Sequence, residues 1–268
     1  MPVALCKVLC SITLALIIWV GHSTQASAQT CSFSITNLNF GNVDLTQGGA
    51  IDVTATFTAT CNALLLTTVR VCPNFAAGSG GSDSSGSPRH MASGTNQLNY
   101  NLYQDAARSV VWGSAIDGAA TNPPTVDIPI LLLSNTATRT IYGRIFPSQQ
   151  QVATGTYLSS FTGGQTLISY RVGTGQTCAQ IGTQNGTQAP FTVQATYTPT
   201  CRVSASALNF GTLAGTAITN GVDASTNLSA TCSAGTPYSI ALNGGQSAAT
   251  DPTQRKLTMG TQSLTYGL

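Results

Sequence analysis

The sequence predicts an all-β sandwich. Short stretches alternate strictly between apolar and polar residues, which is the period of a half-buried strand. Clusters of Gly, Ser, Asn and Pro separate these stretches. The residue types that usually coat helices are scarce: only 7% of residues are charged, there is no Glu, and Lys256 is the one lysine after Lys7.

In chain order, residues 1–28 read as a secretory signal. Lys7 precedes an apolar run containing ITLALIIWV, and Ala26-Ser27-Ala28 is a small-x-small cleavage pattern. The run is shorter than the roughly 20 residues a spanning helix needs, so no stable membrane insertion is expected after cleavage. Removing 28 of 268 residues leaves 240, enough for one or two domains. Ile51–Phe57 alternates and reads as a half-buried strand. Leu64–Leu66 is expected in the core. GSGGSDSSGSP (78–88) is a loop by composition, and Asn99–Tyr103 alternates Asn with Tyr or Leu. DGAATNPP (117–124) is a second loop. Ile130–Leu133 is expected to be a strand buried on both faces, followed by a strand at Thr140–Phe146. NGTQAP (185–190) is a third loop before the alternating strand Phe191–Tyr197.

A long repeat organises the chain. Leu38-Asn39-Phe40-Gly41 recurs as Leu208-Asn209-Phe210-Gly211, each copy seven residues after a cysteine, Cys31 or Cys201. Thr58-Ala59-Thr60-Cys61 matches Ser229-Ala230-Thr231-Cys232. Further on, Arg89, Met91, Gly94, Leu98, Tyr100 and Leu102 match Arg255, Leu257, Gly260, Leu264, Tyr266 and Leu268. The pattern is a tandem duplication of one large module, with a first repeat at 29–199 and a partial second at 200–268. Nothing in the second repeat matches Tyr103 to about Pro199, so its apolar faces and edges are expected to stay uncovered and it should not fold alone.

Six cysteines follow the signal: Cys31, Cys61, Cys72, Cys178, Cys201 and Cys232. An even number in an exported chain reads as disulfides, and the duplication selects one pairing. The second repeat holds only Cys201 and Cys232, which pair. Cys31 then pairs with Cys61, leaving Cys72 with Cys178.

Composition excludes several function classes. Beyond the signal, nine basic residues against eight acidic ones leave a net charge of +1, no field for nucleic acid. No CxxC spacing points to zinc, and no cofactor or metal site is expected. Gly-rich clusters lack the strand-to-helix context of a phosphate loop. His90 matches Lys256 in the other repeat, as a solvated position would, and Asp105 reads as a turn cap; neither is expected to be catalytic.

Several motifs together resemble the spore coat protein U domain: the cysteine-led LNFG opening, Pro88-Arg89, Gly94, Leu98, Tyr100, Leu102-Tyr103, Asp105, Trp112-Gly113, Tyr142-Gly143-Arg144 and Gly155-Thr156-Tyr157. That family includes subunits of archaic chaperone–usher pili of Gram-negative bacteria. The resemblance implies an immunoglobulin-like sandwich. It also implies assembly by donor-strand complementation, in which a periplasmic chaperone and then an adjacent pilin subunit lend a strand, with an outer-membrane usher as further partner. It implies export through the periplasm to the cell surface. Only Gln29 and Thr30 separate the expected cleavage site from Cys31, fewer than the roughly five residues of a donor strand. The expected role is therefore the tip adhesin, binding a host or abiotic surface and supporting biofilm formation. Its first repeat would be the adhesin-type domain, closed by Phe191–Tyr197, and its second a pilin-type domain, C-terminally truncated. The alternative is a secreted spore-coat-like or cell-surface structural protein that does not form pili. Candidate adhesive loop residues are Ala115, Ile116, Ala119, Ala120, Pro123 and Pro124, with the Thr177–Pro190 loop pinned by Cys178.

Overall fold

The structure is a computed structural model. It describes residues 29–63, 66–83, 87–117, 123–215, 221–247, 249–251 and 253–268. The expected signal segment lies outside these residues, as do Leu64 and Leu65.

The fold is all-β, as predicted. The strands are β1 (Thr30–Ile35), β2 (Leu38–Val43), β3 (Ile51–Asn62), β4 (Thr67–Phe75), β5 (Arg89–Ser93), β6 (Asn96–Tyr103), β7 (Val126–Ile130), β8 (Ser134–Ile145), β9 (Gly155–Phe161), β10 (Thr166–Val172), β11 (Thr187–Gln188) and β12 (Phe191–Tyr197). One helical turn, α1 (Cys178–Ile181), precedes β11 and is closed by a Thr177/Gln180 capping box. β13 (Cys201–Ala205), β14 (Leu228–Cys232), β15 (Arg255–Met259) and β16 (Gln262–Tyr266) follow.

An eight-stranded sheet runs β1-β3-β8-β6-β5-β9-β12-β2, and a four-stranded sheet runs β11-β10-β4-β7. By compactness the chain divides into Met1–Phe40, Ile51–Phe146 and Tyr157–Gln194 on one side, and Gly41–Ala50, Pro147–Thr156 and Ala195–Leu268 on the other.

Along the strands of the first repeat, alternation decides which side chains meet. β12 buries Phe191, Val193, Ala195 and Tyr197 while the residues between them are half-buried. β3 likewise buries Ala55, Phe57, Ala59 and Cys61. Rings close the space between the sheets: Phe75 of β4 stacks on Trp112 at 4.9 Å and lies 5.0 Å from Phe191, which stacks on Phe161 at 4.4 Å.

Asn101 of β6 is buried, because its side-chain oxygen accepts a hydrogen bond from the Arg89 guanidinium and its amide donates to Ser87 Oγ. Two expectations need correction. Ile130–Leu133 was expected to be a fully buried strand. Only Ile130 is buried; it ends the inward set Val126, Ile128 and Ile130 of β7. Leu131–Leu133 form the turn into β8, with Leu133 in the left-handed region at φ 48°. β7 pairs with β4 and β8 with β3, so this turn crosses from one sheet to the other and its side chains meet no facing layer. Leu66, also expected in the core, is exposed.

The disulfides are Cys31–Cys61, Cys72–Cys178 and Cys201–Cys232, the set that the duplication selects. Cys31 and Cys61 face each other across β1 and β3, as Cys201 and Cys232 do across β13 and β14.

In the second unit, Asp44 caps the 3-10 turn Leu45–Gln47 and is clasped by Arg202, whose Nη2 donates to Asp44 Oδ2 at 2.7 Å. The Thr46 hydroxyl foremost, then Arg202, lowers the Asp44 pKa from the ordinary 3.8 to about 2. A carboxylate with a depressed folded pKa stabilises the fold above its unfolded pKa and loses that contribution as pH falls through the folded one. Acid titration is therefore expected to weaken this unit between pH 3.8 and about 2. Asp44→Asn should remove that pH dependence; an unchanged acid profile would contradict the assignment.

Candidate functional site

Two hairpins of matched sequence show where the repeats differ. In the first unit, β5 pairs with β6 so that Arg89 faces Tyr100 and Met91 faces Leu98. In the second unit, β15 pairs with β16 so that Arg255 faces Tyr266 and Leu257 faces Leu264. Gly94 and Gly260 hold the two turns at φ 60°, a conformation that favours glycine. The register is the same; the surroundings are not. Met91 and Leu98 are fully buried, whereas Leu257 and Leu264 are 46% and 37% exposed.

The LNFG copies differ in the same way. Leu38 and Phe40 are buried in β2 beside β12. Leu208 and Phe210 lie outside any strand and are half-buried. Phe210, Leu213, Val222, Leu257, Leu264 and Tyr266 line a cavity of about 150 Å³, and the Phe210 ring meets Tyr266 edge-on at 6.1 Å. Tyr238, Ile240 and Leu242 alternate in sequence and are also exposed. Arg255 alone of its face is buried, with Nε donating to Asn243 O at 2.8 Å.

A second apolar feature lies in the first unit. Leu131, Leu132 and Leu133 are 70%, 83% and 70% exposed, and Leu66 is 77% exposed. Register brings the two turns together: Asn62 faces Ser134 across β3 and β8, and Thr67 faces Ile130 across β4 and β7. The Ala63 amide donates to Leu133 O at 2.9 Å, tying one turn to the other. Three consecutive leucines directly after the alternation of β7 were the available sequence signal, because the third and fourth apolar residues of such a run cannot all keep the inward phase.

The loop residues selected from sequence mostly face inward. Ala115 is half-buried against Cys72, Cys178 and Ile181, and its amide donates to Asn74 Oδ1 at 2.8 Å. Ile116 is half-buried, and Pro123 and Pro124 are buried. Ala119 and Ala120 lie outside the described residues. In the Thr177–Pro190 loop the apolar Ile181 and Ala189 are buried, held down by the disulfide at Cys178.

The polar candidates are engaged locally, and His90, expected at a solvated position, is buried because its ring is held between Asn99 and Asp83. His90 Nδ1 lies 2.9 Å from Asn99 Oδ1 and Nε2 lies 3.2 Å from Asp83 Oδ1. Asp105 accepts from the Val110 amide at 2.8 Å and from the Ser109 amide and hydroxyl; these bonds, that of Val110 foremost, lower its pKa. It is a turn cap, as its sequence context predicts. Among the described residues, no group of three or more His, Cys, Asp and Glu side chains is placed to hold a metal ion, and no helix is long and apolar enough to cross a membrane.

A family model described as Spore Coat Protein U domain matches residues 20–163 and 187–268. No curated protein matches the chain. Among solved structures, the chain is similar to the chaperone–tip adhesion subunit pre-assembly complex of archaic chaperone-usher Csu pili of Acinetobacter baumannii, at 16% identity and a TM-score of 0.47, over 88% of this chain and 81% of that one. It is similar to the CupB6 tip adhesin of Pseudomonas aeruginosa, at 8% identity and a TM-score of 0.35, over 61% and 41% of the two chains. A third likeness is the CooA pilin subunit of enterotoxigenic Escherichia coli, at 9% identity and a TM-score of 0.32, over 62% and 99%.

Proposed function

Because this chain belongs to the spore coat protein U domain family, we propose that it is an exported, non-enzymatic subunit of a chaperone–usher pilus, with its first repeat acting in attachment at the pilus tip and so in biofilm formation. Its partners are a periplasmic chaperone, then an adjacent pilin subunit, with an outer-membrane usher for passage to the surface. One observation carries the assembly part of this reading: matched positions in the same register are buried in the first repeat and exposed in the second, as for Met91 against Leu257 and Leu98 against Leu264. In the first repeat the chain's own β12 lies beside the LNFG strand. Among the described residues no strand lies beside the matching acceptor residues of the second repeat, and an extended alternating strand from a partner fits there, supplying both backbone bonds and apolar cover.

Attachment fits the leucine turn of the first unit, whose side chains are more exposed than those of Ala115, Pro123 and Pro124. Exposed apolar side chains grouped on one pole mark contact surfaces.

Co-expression with a pilus chaperone in the periplasm tests the assembly reading. The two proteins are expected to co-purify as a stable complex. Phe210→Asp with Leu257→Lys should weaken capture by about 10-fold or more, since each buried apolar side chain accounts for roughly that factor. Capture that is absent, or unchanged in the double variant, would contradict the proposal.

A further inference from the structure

From the contacts of the Asn-Gly pairs, we infer that Asn243-Gly244 in the second unit is a self-modification site, where the chain converts its own asparagine to aspartate and isoaspartate through a succinimide ring. Such a ring closes when the backbone nitrogen of the following residue attacks the asparagine side-chain carbonyl carbon, and glycine leaves that nitrogen least shielded. Asn-Gly occurs three times, at Asn185, Asn220 and Asn243. Asn220 lies outside the described residues. The other two pairs share a sequence and differ in the contacts that govern the reaction.

At Asn243 the reacting groups are unhindered. The residue is exposed and lies outside any strand. Its Oδ1 accepts from the Gly245 amide at 3.0 Å. Negative charge develops on that oxygen as the nitrogen attacks, so a donor already in place stabilises the tetrahedral stage. The nucleophile is the Gly244 amide, which donates to no acceptor among the described residues. Asn185 is also exposed, but it is tied down. Its Nδ2 donates to Tyr170 O at 3.0 Å, and the Gly186 amide donates to Thr183 O at 3.1 Å. Attack there must first break these bonds.

In the reaction, Gly244 N bonds to Asn243 Cγ and gives its proton to solvent. The Cγ–Nδ2 bond breaks and ammonia leaves. Water then opens the ring at either carbonyl, so a water is consumed for each ammonia released and no oxidant or reductant is needed. One opening gives aspartate; the other gives isoaspartate, which routes the main chain through the former side chain. The change falls on a structural contact, because Asn243 O holds the buried Arg255 through Nε at 2.8 Å. In the first repeat the matched Arg89 takes its carbonyls from Phe75, Ala76 and Trp112, whose side chains cannot cyclise.

Ageing the full chain at mildly alkaline pH tests the inference, with peptide mapping by mass spectrometry and methyl labelling of isoaspartate by an isoaspartyl methyltransferase. The peptide holding Asn243 is expected to convert about 10-fold or more faster than the peptide holding Asn185, and to yield both aspartate and isoaspartate. In guanidinium chloride the Asn185 peptide should speed up to match it, because the bonds that tie it down are gone. Asn243→Ser keeps a side-chain oxygen for the Gly245 amide but cannot cyclise, and should remove the label at this position alone. Equal rates in the folded chain would overturn the inference. So would a preference for Asn243 that persists undiminished in denaturant, since flanking sequence and not the fold would then set it. Aspartate without isoaspartate at 243 would show direct hydrolysis and overturn the succinimide route.

Discussion

Replacing Arg89 with alanine is expected to destabilise the first unit by about 3–5 kcal/mol. The guanidinium is buried, and burial pushes its pKa down to about 10, so it remains charged at neutral pH. It sits at a junction of four segments. Nε donates to Ala76 O at 2.7 Å, Nη2 donates to Phe75 O at 2.8 Å and Trp112 O at 2.7 Å, and Nη1 reaches Asn101 Oδ1. Alanine leaves these acceptors buried without donors and opens a void beneath Trp112. Arg89→Lys keeps a charge but not the planar fork, and should fall between wild type and alanine. Urea unfolding followed by Trp112 fluorescence measures both. A loss under about 1 kcal/mol for alanine would show that water or neighbouring groups replace the guanidinium without cost.

Removing the Cys72–Cys178 bridge is the other large expected effect, about 2–5 kcal/mol. The bridge closes a loop with a sequence separation of 106, against 30 for Cys31–Cys61. In the chain-entropy account the longer loop restricts the unfolded chain more. The bond also anchors α1, whose Ile181 packs with Cys72, Cys178 and Ala115. Cys72→Ala with Cys178→Ala should lower the urea midpoint and make 173–186 the first segment cut in limited proteolysis. The matching double variant at Cys31 and Cys61 should cost less. The reverse order would indicate that strain or residual unfolded structure, and not loop length, sets the contribution.

The fold was legible in the sequence where local period and tertiary burial agree. Phe191–Tyr197 alternates in residues and in burial alike, so period two was enough to identify β12. The disulfides were legible through the duplication, since two cysteines confined to one repeat leave a single pairing. Asn101 was not, because its burial depends on a guanidinium that arrives from a neighbouring strand. Leu131–Leu133 were not either. An apolar run says that side chains prefer to leave water, but not whether this chain supplies the layer that receives them. The repeat matched Arg255, Leu257, Leu264 and Tyr266 to Arg89, Met91, Leu98 and Tyr100, but the pairing of Arg255 with Tyr266 and of Leu257 with Leu264 is seen only in the structure.

Hydrogen exchange of the full chain, with and without a bound periplasmic chaperone, tests most directly whether the second repeat borrows a strand. Backbone amides of 208–213 and 255–266 are expected to exchange fast in the free chain and to become strongly protected in the complex, while β2, β5 and β6 stay protected in both. Unchanged exchange across 208–213 and 255–266 in a chaperone complex would contradict strand borrowing at this face. Protection in the free chain equal to that of β5 and β6 would contradict it as well.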